Sequence, residues 1–330
     1  MDERTGRVGL SVPLGAGLAL DFDQEAVDLE EGDRFGFGAM WRLNASYVKV
    51  SNGSVVYHPA GGGVYEASGS DPSGTGLKRY PGAGVVFEEH AEPVRVDADG
   101  GRAAYAYKFT FTTLDGGREF FDENGVLVAE SDRFGNATGY EWAWDQGTGV
   151  SRPVAVVDRH GLRTVFVEGR DGLEVRPPAG ADGREVRPTV VRMAEGGVTV
   201  EHPQRDADGA AQSTTVEFQS ADGPGKGLPA TVTSPTGAVT TVTYQHVGDA
   251  QNPMSVVDTF TTKAGDRTVA GLSFRADPHG DGHDHTGAPN FGDRAGHGLW
   301  DSDDARAYRY STLLTDGHHT TEREFNKFGL

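Results

Sequence analysis

The sequence predicts an all-β fold built from antiparallel hairpins, on three observations. Glycine is abundant, 48 of 330 residues, and it falls between short runs of Val, Thr, Tyr and Phe, where tight turns need a positive φ. Several runs alternate with a period of two, as in Tyr105-Ala106-Tyr107-Lys108-Phe109-Thr110-Phe111, the mark of a half-buried strand. No segment keeps an apolar period of 3.6 for long before a glycine interrupts it, so very little helix is expected.

Residues 8–22 carry Val12-Pro13-Leu14 and Leu18-Ala19-Leu20 and read as one or two strands. The acidic stretch from Asp21 to Asp33 reads as a solvated loop. Phe35-Gly36-Phe37-Gly38 and Trp41-Arg42-Leu43 follow, where small residues let backbone pack beneath rings. Tyr47 to Val50 and Val55-Val56-Tyr57 are strands around Asn52-Gly53, a pair suited to a two-residue hairpin because both positions need positive φ. Gly61-Gly62-Gly63 turns the chain and residues 67–77 form a loop. Strands are expected at Gly84-Val85-Val86-Phe87 and Val94-Arg95-Val96. The chain reads as three β segments: 1–115, 116–250, which holds the hairpin repeats, and 251–330 with a His/Asp/Gly-rich loop at 275–305.

The net charge of −19 repels phosphate backbones and anionic lipid, which excludes nucleic acid and membrane surfaces as expected partners. It leaves two readings: dispersal of a sticky β protein, or a docking face for a basic cargo. There is no cysteine, so disulfide frameworks, thiolate zinc sites and thiol nucleophiles are excluded. No run of about 18 apolar residues is long enough to span a membrane as a helix. The opening Met1-Asp2-Glu3-Arg4-Thr5-Gly6-Arg7 has no signal-peptide core. Export would therefore need a dedicated machine or a leader outside this chain.

An internal repeat is the most informative feature. One unit runs from Phe120-Phe121-Asp122-Glu123-Asn124-Gly125 through Asp132-Arg133-Phe134-Gly135-Asn136 to Tyr140. A second runs from Pro153 through Asp158-Arg159-His160-Gly161 to Phe166. A third runs from Leu228 through Ser234-Pro235-Thr236-Gly237 to Tyr244. A degenerate fourth runs from Thr315-Asp316-Gly317 to Asn326. The skeleton is a β run, Asp or Ser, two residues, Gly, and a β run ending in an aromatic. Asp or Ser accepts hydrogen bonds from the turn backbone, and Gly takes the left-handed position. The repeat-defining residues are Asp132, Gly135, Tyr140, Asp158, Gly161, Phe166, Gly237 and Tyr244. A lone hairpin is marginal in water, so the units must stack side by side.

Asp132-Arg133-Phe134-Gly135-Asn136 through Tyr140 and Asp158-Arg159-His160-Gly161 through Phe166 resemble the YD repeats of Rhs proteins, of toxin-complex B/C components and of teneurins. Gly9-Leu10-Ser11-Val12-Pro13-Leu14 followed by Phe35 to Leu43 resembles the opening of an Rhs shell, although Ala39 and Met40 separate Gly38 from Trp41. The resemblance implies a spiralling β-sheet forming part of a hollow shell, with an enclosed toxin polypeptide as cargo and the remainder of the shell, or a partner chain, as neighbour. Two departures stand out. The autoproteolytic motif of such shells is not found, since Asp71-Pro72 and Asp277-Pro278 lack its context, and no toxin-like domain follows. The chain stops at Phe328-Gly329-Leu330 within a repeat, as a fragment or one of several pieces would.

His279, Asp281, His283 and His285 would share one face of an extended strand and could hold zinc or nickel, with His297 and Asp301 nearby. Gly280, Gly282 and Asp277-Pro278 favour a solvated insertion loop instead. Asp97-Ala98-Asp99-Gly100 and Asp206-Ala207-Asp208-Gly209 begin like calcium loops but lack the distal ligands, and read as hairpin turns. Glu30-Glu31, Glu88-Glu89 and Asp303-Asp304 are adjacent acids on opposite strand faces, unsuited to paired acid catalysis. No nucleophile elbow, zinc-protease helix or phosphate loop is found. No enzyme activity and no cofactor are expected. Trp41, Trp142, Trp144 and Trp300 read as packing residues, or alternatively as the sugar platform of an adhesin-like binding module.

Overall fold

The computed structural model describes residues 1–15, 17–24, 35–38, 41–51, 54–60, 65–67, 74–78, 84–98, 103–170, 172–247, 254–280, 282–283 and 308–326. Every element described is a β-strand, and the fold is all-β and antiparallel. Strands β1 (Gly9–Gly15), β2 (Leu18–Asp23) and β3 (Trp41–Leu43) form one small sheet, and β4 (Tyr47–Ser51), β5 (Ser54–His58) and β6 (Tyr65–Ala67) a second. Next come β7 (Val86–Ala98), β8 (Ala103–Thr112), β9 (Arg118–Phe121), β10 (Leu127–Ser131), β11 (Ala137–Asp145), β12 (Val150–Val157), β13 (Arg163–Gly169) and β14 (Gly172–Arg176). The last strands are β15 (Thr189–Ala194), β16 (Gly197–Arg205), β17 (Ala211–Phe218), β18 (Pro229–Thr233), β19 (Val239–Val247), β20 (Met254–Ala264), β21 (Arg267–Arg275), β22 (Arg309–Asp316) and β23 (His319–Asn326). The acidic stretch beyond Gln24, the Gly61-Gly62-Gly63 turn and most of 67–77 lie outside the described residues.

Contacts divide the chain into two units. One comprises Met1–Val12, Phe22–Glu31 and Val190–Leu330, the other Pro13–Asp21 and Gly32–Thr189.

The second unit holds the β4–β6 sheet and the antiparallel run β7 to β14. Ser51 pairs with Ser54, so β4 and β5 join through two residues, as the Asn52-Gly53 pair predicts, although those two residues are themselves outside the described set. The expected strands at 84–87 and 94–96 are one strand, β7, whose pairing with β8 slips between Glu89 and Val94. That slip is a bulge, which leaves an unpaired stretch in the middle of a continuous strand. The core is aromatic. Phe109, Phe111 and Phe121 are fully buried, and Tyr57 of β5 stacks on Phe111 with ring centroids 3.9 Å apart. Phe87 lies 4.9 Å from Phe111, and Phe121 meets it edge-on at 5.7 Å. The small sheet is thereby laid over β8 and β9. Backbone also joins the layers: Val48 N donates to Gly125 O at 2.8 Å. A Cβ at Gly125 would sit 2.0 Å from Val48 O, and its φ is +75°, so only glycine fits this close approach.

The first unit contains the run β15 to β23, each strand antiparallel to the next. Its buried apolar content is sparse in β19 to β21. In β19 only Val242 is buried, in β20 only Val256 and Val257, and in β21 only Phe274. Five successive residues of β21, Arg267 to Gly271, are exposed. Successive strand residues point to opposite faces, so this end of β21, which pairs with β20 but not with β22, meets solvent on both. Threonine pairs lace the strands instead, with Thr240 Oγ1 2.9 Å from Thr262 Oγ1 and Thr243 Oγ1 2.6 Å from Thr259 Oγ1. The N-terminus covers an apolar patch of this unit. Met1 packs on the Val256, Phe274, Ala276 and Leu314 cluster, and Val257 N donates to Gly6 O at 2.8 Å. Gln24 spans two segments, accepting from Val8 N at 2.9 Å and donating to Ser255 O at 2.5 Å.

Candidate functional site

The repeat is a single turn geometry used again and again. At Asp122, Asp132, Asp158 and Asp206, Oδ1 accepts from the backbone N two residues on (2.9, 2.8, 2.8 and 3.0 Å) and four residues on (2.9, 3.0, 2.9 and 2.8 Å). The glycine three residues on donates its N–H to the Asp carbonyl, and the Asp N–H donates to the carbonyl four residues on. Those glycines, Gly125, Gly135, Gly161 and Gly209, have φ from +75° to +84°. This is a type I turn closed by a glycine bulge, with the carboxylate replacing a missing backbone partner. Ser234 and Gly237 form the same turn, Ser234 Oγ accepting from Ala238 N at 3.1 Å. Asp206-Ala207-Asp208-Gly209 is thus a hairpin turn. Two further copies, Thr113–Gly116 and Gly180–Gly183, are not marked by the repeat skeleton because they open on Thr and Gly rather than Asp or Ser; the glycine at the fourth position is their signal. The degenerate fourth unit is a different turn: Asp316 pairs with His319, leaving two residues with Gly317 at φ +51°.

The aromatics that close the units are structural. Tyr140 is buried and donates to Glu130 Oε1 at 2.9 Å. Tyr244 donates to Pro229 O at 2.6 Å, and its ring fills the space a Cβ at Gly225 would need. Phe166 is buried on β13. Burial pushes both tyrosine hydroxyls well above their usual range, Tyr140 further through the charge of Glu130. Asn136 and the turn amides hold the Asp132 carboxyl below the usual carboxylate range.

Of the proposed metal ligands, Asp281 and His285 lie outside the described residues, as do His297 and Asp301. His279 Nε2 lies 2.5 Å from Glu322 Oε1 of β23, and the His283 ring packs at 4.9 Å from Tyr308. Asp277 accepts from Gly280 N at 2.9 Å and Gly282 N at 3.0 Å. Among the described residues no group of three potential ligands converges. The tryptophans divide similarly. Trp41 is buried; Trp142 donates to Leu127 O at 2.6 Å and packs 5.3 Å from Phe35; Trp144 is 44% exposed; Trp300 is outside the described residues.

One constellation was not legible as a pair. Glu119 and Glu130 are register partners on β9 and β10. Glu119 accepts from Tyr57 OH at 2.7 Å and from Ser46 Oγ at 2.9 Å. Burial raises its carboxyl above the usual range, an effect opposed by those two hydrogen bonds and reinforced by Glu130. Both carboxylates line a cavity of about 370 Å³ together with Arg118, Asp132 and Arg159. Glu130 also lines a neighbouring cavity of about 320 Å³ with Tyr140 and Asp158. The Asp122–Gly125 turn alone would set Glu119 opposite Ala129; a bulge between Leu127 and Ala129 shifts the register and brings Glu119 opposite Glu130.

No family model matches the chain, and no curated protein matches it. Among solved structures it is similar to chains of "Crystal Structure of TcdB2-TccC3", at 10% identity over 82% of this chain and 15% of that one, with a TM-score of 0.16. A second is "Crystal Structure of TcdB2-TccC3-TEV", at 12% identity over 94% of this chain and 18% of that one, with a TM-score of 0.13. The chain thus spans less than a fifth of the length of either. Among the described residues no helix is long and apolar enough to cross a membrane.

Proposed function

We propose that this chain is a wall segment of an Rhs-type β-sheet shell that encloses a toxic polypeptide and helps to deliver it. The observation that carries the reading is the stretch of β21 that meets solvent on both faces, in an antiparallel run whose earlier hairpins are closed by Asp/Ser-x-x-Gly turns at Asp122, Asp132, Asp158, Asp206 and Ser234. A compact globule buries one face of each sheet. A wall between a lumen and bulk water does not. On this reading the chain is structural rather than catalytic, its neighbours are the remainder of the shell and the enclosed polypeptide, and a dedicated machine exports the assembly. The committed carboxylates of the turns and the packed Trp142 support structure over an adhesin-like sugar platform.

Protection from protease tests this. The chain is co-expressed with the polypeptides encoded beside it, purified as the complex and treated with trypsin. The enclosed polypeptide is expected to survive in the complex and to be digested when free. Equal digestion in both states overturns the reading.

A further inference from the structure

We propose that the sheet rim formed by the turns of three hairpins, β8–β9, β10–β11 and β12–β13, docks against the same rim of a second copy of this chain. Strands β8 to β13 follow one another antiparallel, so every other turn falls on the same rim. On this rim stand Leu114 and Phe134, within their turns, and Leu162, directly after its turn glycine. They are 87%, 74% and 51% exposed. The turns lie side by side. A Cβ at Gly116 of the first would sit 3.2 Å from the Cβ of Arg133 in the second. Asp115, Asp132 and Arg159, one from each turn, line the same cavity.

Single exposed apolar residues are ordinary, but a contiguous set marks an interaction site. Turns are usually polar, because Asp, Asn, Ser and Gly suit their backbone. The opposite rim keeps to that rule: its turns at Asp122–Gly125 and Asp145–Gly149 present Glu123, Asn124, Gln146 and Thr148. Arg133 lies over the Phe134 ring, 4.7 Å from its centroid, and aromatic residues and Arg are the types that interfaces favour.

The pattern of the rim fits one occupant. Neighbouring hairpins are two strands apart, about 9.5 Å, so the row spans about 19 Å. A second copy presents the same spacing. About a two-fold axis at Phe134, the first turn of one copy meets the third turn of the other. Leu114 of one copy then meets Leu162 of the other, Asp115 meets Arg159, and Phe134 meets its own counterpart. The first turn, Thr113–Gly116, carries an acid and no base, while the third carries Arg159 and His160, so the meeting turns are complementary in charge. The remaining acids are engaged at home, Asp158 by its turn amides and Asp132 by its amides and Asn136. Three anchors make a small interface and hence a weak, reversible pair. The pairing does not depend on what the sheet encloses, so its failure would leave the shell reading untouched.

The chain has no cysteine, so single introduced cysteines report the contact. Full-length Phe134→Cys, Leu114→Cys and Leu162→Cys are oxidised at micromolar concentration and read on a non-reducing gel. Val269→Cys, at an exposed position of the other unit, is the control. Phe134→Cys is expected to cross-link to itself at least about tenfold faster than the control, through the raised effective concentration of the paired thiols. Leu114→Cys mixed with Leu162→Cys is expected to cross-link where neither does alone. In sedimentation the wild type is expected to associate as concentration rises. Phe134→Asp is expected to weaken that association at least about tenfold, and Val269→Asp to leave it unchanged. A wild type that stays monomeric throughout, a Phe134→Asp variant that associates like it, or Leu114→Cys joining itself as readily as Leu162→Cys overturns the proposal.

Discussion

The two units solve the same problem, keeping antiparallel hairpins together, by different means. The unit that contains Gly32–Thr189 stacks a second sheet over the first and fills the gap with rings, Tyr57 on Phe111 on Phe87. The unit that contains Val190–Leu330 buries mainly valines, such as the cross-strand partners Val198 and Val216 and the single Val242 of β19, and laces part of the remaining sheet with threonine hydroxyls. The first arrangement draws on apolar burial, the dominant favourable force in folding. The second relies on ladder hydrogen bonds and cross-strand pairs, each contributing only modestly. Under the proposed shell reading, strands with as little buried on them as β19 to β21 depend on continuity with their neighbours.

The contrast can be broken experimentally, beginning where the effect is largest. Phe111→Ala removes the centre of the ring stack and is expected to cost about 3–5 kcal/mol, as deletions of buried phenylalanine do; a two-step unfolding curve should lose or lower only the transition of its own unit. Gly125→Ala sets a Cβ against Val48 O at a left-handed φ and is expected to cost about 1–3 kcal/mol, read as earlier hydrogen exchange at Val48 N. Asp158→Ala strips two acceptor bonds from one turn and is expected to cost about 1 kcal/mol, measured by urea unfolding. The double change Thr240→Val with Thr262→Val removes a cross-strand hydroxyl pair and restores β-branched packing. It is expected to stay within about 0.5 kcal/mol by the same measurement. A large loss there would show that the threonine ladder, and not sheet continuity, holds the first unit.

Local physics made much of this legible. The alternation at 105–111 gave β8, Asn52-Gly53 gave the β4–β5 register, and the Asp/Ser-x-x-Gly spacing gave the turns, because each depends on neighbours a few residues apart. What stayed hidden depends on distance along the chain. Gln24 reaches Ser255, and Val257 meets Gly6; nothing in either segment announces the other. The Glu119–Glu130 pair was hidden by a smaller step, the bulge beside Leu127 that shifts the register. The merging of two expected strands into β7 has the same cause, a slip that reads in sequence as a break. The chemistry expected of the histidine loop depends on Asp281 and His285, which lie outside the described residues.

The central claim is that this sheet is wall and not globule. Electron microscopy of the chain assembled with the polypeptides encoded beside it tests that most directly. The account predicts a hollow, closed particle with β21 facing water on one side and the lumen on the other. A solid particle, with both faces of β21 packed against other chain, would contradict it.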